Sequence, residues 1–225
     1  MKRLIFFLII ISIVLYFQYP FINEINNNYD IIQYENPDKS IFENMLSEKK
    51  ISVFTNIPHK LMYKEIEFEN FTYDFLYTLK TKQKNELNNL IFKNLDYYKI
   101  PLCIKSNCNI EYLKNTSRIN LTSQNNYRFL LLELKGTCKV TLFSPKEREN
   151  LYFIKNRTNV DYWNKDLNTY PRLNDVHYIE ILLHKDQMLH IPYGWVYCVE
   201  CVEDDCLHIS YTNESIFSFI LKKTL

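Results

Sequence analysis

The sequence predicts a mainly β domain, an antiparallel sandwich or barrel, that follows helical segments and an N-terminal transmembrane helix. Three observations predict this order: an unbroken apolar run near Met1, an apolar repeat at three- and four-residue spacing before residue 100, and short β-rich segments after residue 127. The 225 residues, 47% of them hydrophobic, are enough for one domain with an ordinary core and additional segments.

The N-terminal segment, residues 1–22, reads as a signal anchor. Lys2 and Arg3 precede an apolar run that reaches Ile22, close to the roughly 20 residues that span a bilayer as a helix. The end of the run lacks the small residues of a cleavage site. The two basic residues place the N-terminus in the cytoplasm, which makes the chain a single-pass protein of the secretory pathway with a lumenal or extracellular remainder. A cleaved signal peptide and a buried helix are the alternatives.

The rest of the chain divides into a stalk and a folded domain. Residues 23–40 are rich in Asn, contain Pro37 and are predicted to be a polar stalk. Residues 41–225 are predicted to be the domain, with helices up to about residue 100, where Leu87, Leu90 and Leu95 share one helical face. Seven predicted strands follow, at 127–134, 139–143, 177–183, 188–191, 195–199, 207–212 and 216–221.

Charge and composition restrict the partners. The net charge is +1, so no surplus of Lys and Arg is present to neutralise phosphates, and nucleic acid is not expected as a partner. Asn is abundant and Ala is absent, which indicates a compositional bias that also multiplies Asn-based motifs. Five Asn-x-Ser/Thr sequons fit a glycoprotein, with the bias as the alternative explanation: Asn70, Asn115, Asn120, Asn156 and Asn213.

The six cysteines are even in number, as is typical of an oxidising compartment. Cys201 and Cys206 flank a four-residue acidic turn between two predicted strands, and we predict a disulfide between them. Cys103 and Cys108 suggest a similar small loop. A zinc site built from Cys198, Cys201, Cys206 and His208 is an alternative, although a second CxxC pair is missing. Free buried thiols are the other alternative.

Two stretches of the chain resemble the Jumonji C and cupin-like hydroxylases. In residues 130–145 one strand ends at Gly136 and the next ends in Phe143-Ser-Pro145; in residues 178–197 a strand leads into a turn that contains Pro192, Gly194 and Trp195. The resemblance covers residues 121–220 and includes the linking segment 161–171. It implies a double-stranded β-helix, the cupin-like jelly roll. Both glycines of the chain lie where a turn without a Cβ is needed.

The resemblance also implies where a catalytic site would lie. The family binds Fe(II) with a His-x-Asp/Glu pair and a distal His, a facial triad with open positions. By the family's spacing these positions are Ser123, Asn125 and Tyr197, none of which is a ligand of that type. The co-substrate Lys position is Cys138, with Lys139 one step further and therefore on the opposite face of a strand. These replacements predict that no metal and no cofactor binds.

A relocated iron site is the alternative. His184 and Asp186 form a literal His-x-Asp, and His190 and His208 lie downstream. By the resemblance, however, His184 and Asp186 lie in a turn at the rim of the barrel.

Three functions follow from these observations. The first is a membrane-anchored domain that has lost catalysis and binds a protein or a glycan. The second is an active hydroxylase that uses Fe(II) and 2-oxoglutarate through ligands that ungapped spacing misses. The third is a purely structural ectodomain. We favour the first, a non-enzyme.

Overall fold

The computed structural model describes residues 26–38, 49–57, 103–114 and 116–215, with scattered positions at 3, 5–9, 11–12, 40–41 and 44. Ten strands lie in this part of the chain, and the prediction of a mainly β domain is confirmed. The strands are β1 Ile31–Glu35, β2 Ile51–Thr55, β3 Cys103–Lys114, β4 Arg118–Ser123, β5 Arg128–Lys135, β6 Thr137–Phe143, β7 Ile179–His184, β8 Met188–His190, β9 Val196–Cys201 and β10 Asp205–Ser215. Two short 3-10 turns, Pro145–Arg148 and Pro171–Asp175, lie between β6 and β7.

The strands form two sheets. The six-stranded sheet has the order β1-β2-β8-β5-β10-β3 and the four-stranded sheet the order β4-β9-β6-β7. Every pairing is antiparallel except that of β1 with β2. From β5 onward the chain passes repeatedly from one sheet to the other, which is consistent with the jelly roll that the resemblance implies.

The inner core lies between the two sheets. Alternate side chains of each strand point to it, as the two-residue period of a strand requires. Phe129 and Leu131 enter it from the six-stranded sheet, and Val140, Leu142 and Val199 enter it from the four-stranded sheet.

The outer faces of both sheets are also covered. On the six-stranded sheet Leu130, Leu132 and Ile209 belong to a second buried cluster. On the four-stranded sheet Val196 and Cys198 pack against Leu151 and Val160 of the segment that joins β6 to β7. Val196 and Cys198 therefore lie on the outer face of β9, whereas Tyr197 between them belongs to the inner core.

The first two strands differ from the sequence prediction. Residues 31–35 form β1, which pairs in parallel with β2 from Ile31 opposite Ile51 to Glu35 opposite Thr55. The interpretation of residues 23–40 as a stalk is therefore wrong for this stretch. Its short polar-apolar alternation gives little local signal, and the partner that makes it a strand lies twenty residues further along the chain.

Strand β3 was also unexpected. Cys103 and Cys108 both belong to this extended strand, and both are free thiols. Five residues of extended chain span roughly 17 Å, far more than a disulfide allows. The proposed small loop between them is wrong, because a strand with many polar residues resembles a loop when it is read by composition.

Several predictions fall on residues that the structure does not describe. They include most of the anchor, residues 58–102 of the helical region, the strand at 216–221, and the sequons Asn70 and Asn115. Among the described residues, no helix combines the length and the apolar character that a bilayer crossing requires.

The Cys201–Cys206 disulfide is confirmed, with a Cα–Cα distance of 5.7 Å. It joins the end of β9 to the start of β10 and so links the two sheets. Beside it Gly136 forms the corner at which the chain passes from β5 to β6. Gly136 has a φ of +80°, and a Cβ there would lie 2.2 Å from the carbonyl oxygen of Asp205. Only glycine fits this corner without displacing the neighbouring backbone.

Candidate functional site

The turn between β8 and β9 has the form that the family motif implies. Gly194 has a φ of +88°, which favours glycine, and its backbone N–H donates to the Gln124 carbonyl at 2.8 Å. Trp195 is buried, and its indole N–H donates to the carbonyl of Asn26 at 3.0 Å. Pro192 precedes the turn and its carbonyl accepts from Trp195 at 3.4 Å. The turn thus fixes how β9 runs beside the chain after β4.

The pairing of β4 with β9 separates the side chains that the resemblance places together. Thr122 lies opposite Tyr197, and Ser123 lies opposite Val196. Residues opposite each other on antiparallel strands share a face. Tyr197 therefore points into the inner core with Thr122, whereas Ser123 points to the outer face with Val196. A register irregularity between Ile119 and Thr122 accompanies this arrangement, and a shift of one residue exchanges the two faces.

Ser123 and Asn125 form a small polar cluster with Arg148. The Ser123 hydroxyl donates to Asn125 Oδ1 at 3.0 Å, and the Asn125 amide donates to the Ser123 carbonyl at 3.1 Å. Arg148 Nη1 donates to Ser123 Oγ at 2.5 Å, and Arg148 Nη2 donates to the Lys155 carbonyl and to Asn156 Oδ1. Burial lowers the pKa of Arg148 from its usual value, but a guanidinium retains its charge. The cluster is therefore cationic.

Replacing Arg148 by alanine is expected to lower the free energy of unfolding by about 1–3 kcal/mol, because the half-buried Ser123 and Asn156 acceptors lose their donor. Arg148→Lys keeps the charge but not the planar fork, and we expect an intermediate loss. Urea denaturation of both variants checks this. Equal stability of R148A and the wild type would contradict the role of Arg148 in holding Ser123.

Tyr197 occupies the inner core as a neutral side chain. It is 8% exposed, and its ring centroid lies 5.1 Å from that of Phe129. Burial, and to a smaller extent the charge of Glu111, raises the pKa of the phenol well above its usual value. The hydroxyl thus stays protonated at neutral pH and is a poor ligand for a divalent cation.

The two residues near the co-substrate position lie on opposite faces of β6. Cys138 is buried in the inner core, whereas Lys139 is half-exposed on the outer face. Lys139 Nζ lies 3.0 Å from a Glu200 carboxylate oxygen and 3.6 Å from one of Glu180, and the hydrogen bond with Glu200 raises the pKa of Lys139. Lys139 is therefore held by acidic partners outside the barrel, on the face away from Cys138.

These residues do not fit an Fe(II) centre. Such a centre needs imidazole and carboxylate donors that converge with open positions. Here the hydroxyl of Ser123 faces away from Tyr197 and already binds a guanidinium, Asn125 offers only a neutral amide, and Tyr197 offers a protonated phenol. At these positions no negative charge is present to offset the free-energy cost of taking a divalent cation out of water.

The alternative ligands do not converge either. His184 Nδ1 lies 3.2 Å from the Thr137 hydroxyl at the end of β7, and Asp186 lies in the turn that follows with a φ of +66°. His190 Nδ1 lies 3.1 Å from the Lys50 carbonyl, and burial lowers the pKa of His190 to about 4. His208 pairs with Glu111 at 3.2 Å. Each histidine thus has a different local partner.

The zinc alternative fails for a similar reason. Cys198 packs in the outer cluster, while Cys201 and Cys206 lie in the inner core and are bonded to each other. The chain therefore does not present the four side chains to one point.

The structure reveals one cluster that the sequence reasoning missed. Glu133, Cys138 and Cys206 are buried and place their ligand-type atoms within 4.8 Å of one another, and no other such group of His, Cys, Asp and Glu occurs among the described residues. Cys206 is disulfide-bonded, so the group is not a ready metal site. A signal was available, because Glu133 is in phase with the inward residues Phe129 and Leu131 of β5.

The described sequons differ in their surroundings. Asn213 is fully buried, and its amide donates to Ser106 Oγ at 3.0 Å, so a glycan does not fit there in the folded domain. Asn120 is exposed, but its amide donates to the Val160 carbonyl and its oxygen accepts from Leu121 and Tyr162. Asn156 is half-exposed and its oxygen accepts from Arg148. The expectation of a glycan at Asn213 is therefore wrong.

Comparison with known proteins identifies the domain. The family described as cupin-like domain matches residues 113–215, so this part of the chain is a cupin-like domain. JmjC domain-containing protein D of Dictyostelium discoideum is 35% identical over 68 residues, which are 28% of this chain and 15% of that protein. The chain thus spans a small part of the length of this relative. The resemblance to Jumonji C and cupin-like proteins is confirmed.

Among solved structures, peruvianin-I, a cysteine peptidase from Thevetia peruviana latex, superimposes with a TM-score of 0.33 and 13% identity over 48% of this chain and 50% of that chain.

Proposed function

We propose that the chain is a membrane-anchored protein whose cupin-like domain, a double-stranded β-helix, lies in the lumen or outside the cell, has no hydroxylase activity and acts by binding a protein or a glycan. One observation supports the loss of catalysis: the positions of the family's iron ligands hold neutral side chains, and those of Ser123 and Tyr197 point to opposite faces of the β4–β9 pair. The cationic Arg148 beside Ser123 adds repulsion for a second cation. A cupin-like scaffold without a metal centre can still act by binding a partner.

Calorimetric titration of the full-length protein with Mn²⁺ in the presence of 2-oxoglutarate tests the loss of the metal centre. Mn²⁺ stands in for Fe²⁺ because it prefers similar oxygen and nitrogen ligands and does not oxidise in air. The proposal predicts no saturable binding. Saturable binding with a stoichiometry near one would contradict it. If Asp186→Asn then abolished that binding, the active hydroxylase with relocated ligands would replace the proposal.

The anchor and the lumenal orientation rest on Lys2, Arg3 and the apolar run to Ile22. Expression in a eukaryotic cell should give a protein whose domain resists protease in intact microsomes and whose apparent mass falls on glycosidase treatment. Asn156→Gln is expected to remove one glycan. Asn213→Gln is the matched control and is expected to leave the glycan number unchanged, since Asn213 is buried. Digestion of the domain in intact microsomes would contradict the orientation.

A further inference from the structure

Three cysteines meet at the end of the inner core beside the exposed turn 202–204. The Cys201–Cys206 disulfide joins β9 to β10, and Cys138 of β6 lies directly opposite Cys201 in the β6–β9 pairing. Cys138 is a free, buried thiol. The free thiol and the disulfide thus belong to adjacent positions of one barrel end.

The atoms are close enough to react after a small movement. Cys138 Sγ, Cys206 Sγ and one carboxylate oxygen of Glu133 all lie within 4.8 Å of one another. Cys138 lies opposite Cys201, and Cys201 is bonded to Cys206, so the attacking thiol, the sulfur that it attacks and the leaving sulfur are neighbours. The remaining free thiols of the described residues lie elsewhere, Cys198 on the outer face and Cys103 and Cys108 on β3.

Glu133 is the second observation that points to chemistry here. It is 0% exposed, and neither carboxylate oxygen accepts a hydrogen bond of ordinary geometry. Burial raises the pKa of Glu133 to about 8, although the Cys138 thiol and the Leu207 N–H lie close enough to offset part of that effect. Burial and the charge of Glu133 also raise the pKa of Cys138. A carboxylate with a raised pKa is a better matched base for a thiol than an ordinary carboxylate.

We propose that Cys138, Cys201 and Cys206 form an internal thiol–disulfide exchange site, in which Cys138 displaces Cys201 from Cys206 and Glu133 carries the proton. Glu133 takes the proton of the Cys138 thiol, and the resulting thiolate attacks Cys206 Sγ. The Cys138–Cys206 bond forms as the Cys201–Cys206 bond breaks, and the Cys201 thiolate receives the proton from Glu133. One disulfide and one thiol are present before and after, so the step needs no oxidant or reductant.

The exchange has a structural consequence. Both bridges connect the two sheets, but the exchange breaks the Cys201–Cys206 bond that closes the turn at 202–204 and replaces it with a bridge from β6 to β10. That turn, which is exposed, borders a surface pocket that is also lined by Lys135, Gly136 and Asp205. The site thereby changes the attachment of one surface turn without unfolding the barrel.

The Cys201→Ser variant of the full-length protein tests the proposal. After incubation in a glutathione redox buffer and alkylation of free thiols, peptide mapping is expected to find a Cys138–Cys206 bridge in most molecules. Cys198→Ser is the matched control, and it is expected to retain the Cys201–Cys206 bridge. If C201S has the circular dichroism of the wild type but Cys138 and Cys206 are both alkylated or glutathionylated, the proposal is overturned.

A measurement on the wild type covers the case in which C201S does not fold. Protein without added thiols is incubated, quenched in acid, denatured and alkylated. A fraction with alkylated Cys201 and a Cys138–Cys206 bridge is expected in the wild type, and Glu133→Gln is expected to slow its appearance at least tenfold. If Cys138 is alkylated and Cys201 stays bridged to Cys206 at every time point, no exchange takes place and the proposal is wrong.

Discussion

The Gly136→Ala variant is expected to lose about 3–5 kcal/mol of unfolding free energy, the largest effect of any single substitution considered for this domain. Gly136 has a φ of +80°, in the left-handed region that costs an ordinary residue about 1–3 kcal/mol. The added Cβ would also lie 2.2 Å from the Asp205 carbonyl oxygen and 3.2 Å from Cys206 Sγ. Since the first of these is a backbone atom next to the disulfide, relief requires movement of the β9–β10 turn. Urea denaturation measures the loss.

Gly136→Asn separates the two causes of that loss. Asparagine tolerates a positive φ better than alanine, but it carries the same Cβ. If the contact with Asp205 dominates, both variants should be destabilised to a similar degree. A G136N protein with nearly wild-type stability would show that the corner accepts a Cβ, contrary to the tight approach seen here.

The second large effect is expected at Glu133, as a change in how stability depends on pH. Burial raises the pKa of this carboxyl from 4.5 to about 8, so the folded chain binds the proton more tightly than the unfolded chain. The contribution of Glu133 to stability is therefore complete below pH 4.5 and is lost as the pH rises to about 8. Between pH 5 and pH 8 the wild type should lose about 3 kcal/mol more than Glu133→Gln, which has no proton to release.

The comparison of slopes removes the other titrating groups from this test. Cys138, Glu203 and His208 lie around Glu133, and they are present in both proteins. Any direct cost of the glutamine amide is similar at both pH values and cancels. Denaturation curves of both proteins at pH 5 and pH 8 measure the difference. Parallel slopes would mean that Glu133 is already ionised and solvated in the folded protein.

Local sequence signals were sufficient for the strands from β5 onward and for the corner between β5 and β6. The run from Arg128 to Lys135 is short and largely apolar, as in a buried strand, and a lone glycine after it predicts the sharp corner. The disulfide followed from the short turn between Cys201 and Cys206, since a turn of that length brings its ends together. These features depend on residues that are close in the chain.

Features that depend on distant partners were not predictable in the same way. Strand β1 becomes a strand by pairing with β2, and β3 by pairing with β10 nearly a hundred residues later. The face on which Ser123 lies depends on an irregularity between Ile119 and Thr122, which counting from a family motif does not detect. The Glu133–Cys138–Cys206 cluster combines β5, β6 and β10, so it appears only when both sheets are assembled.

The central claim is that the iron-ligand positions of this cupin-like domain no longer hold iron. The most direct measurement incubates the purified full-length protein anaerobically with Fe²⁺, removes unbound metal, and then supplies oxygen, ascorbate and 2-oxoglutarate while succinate is measured. We expect iron at background level and no succinate beyond that formed by free Fe²⁺ in buffer, because Ser123, Asn125 and Tyr197 offer only neutral groups, and Ser123 and Tyr197 point to opposite faces of the sheet. Close to one iron per chain together with succinate formation would contradict it.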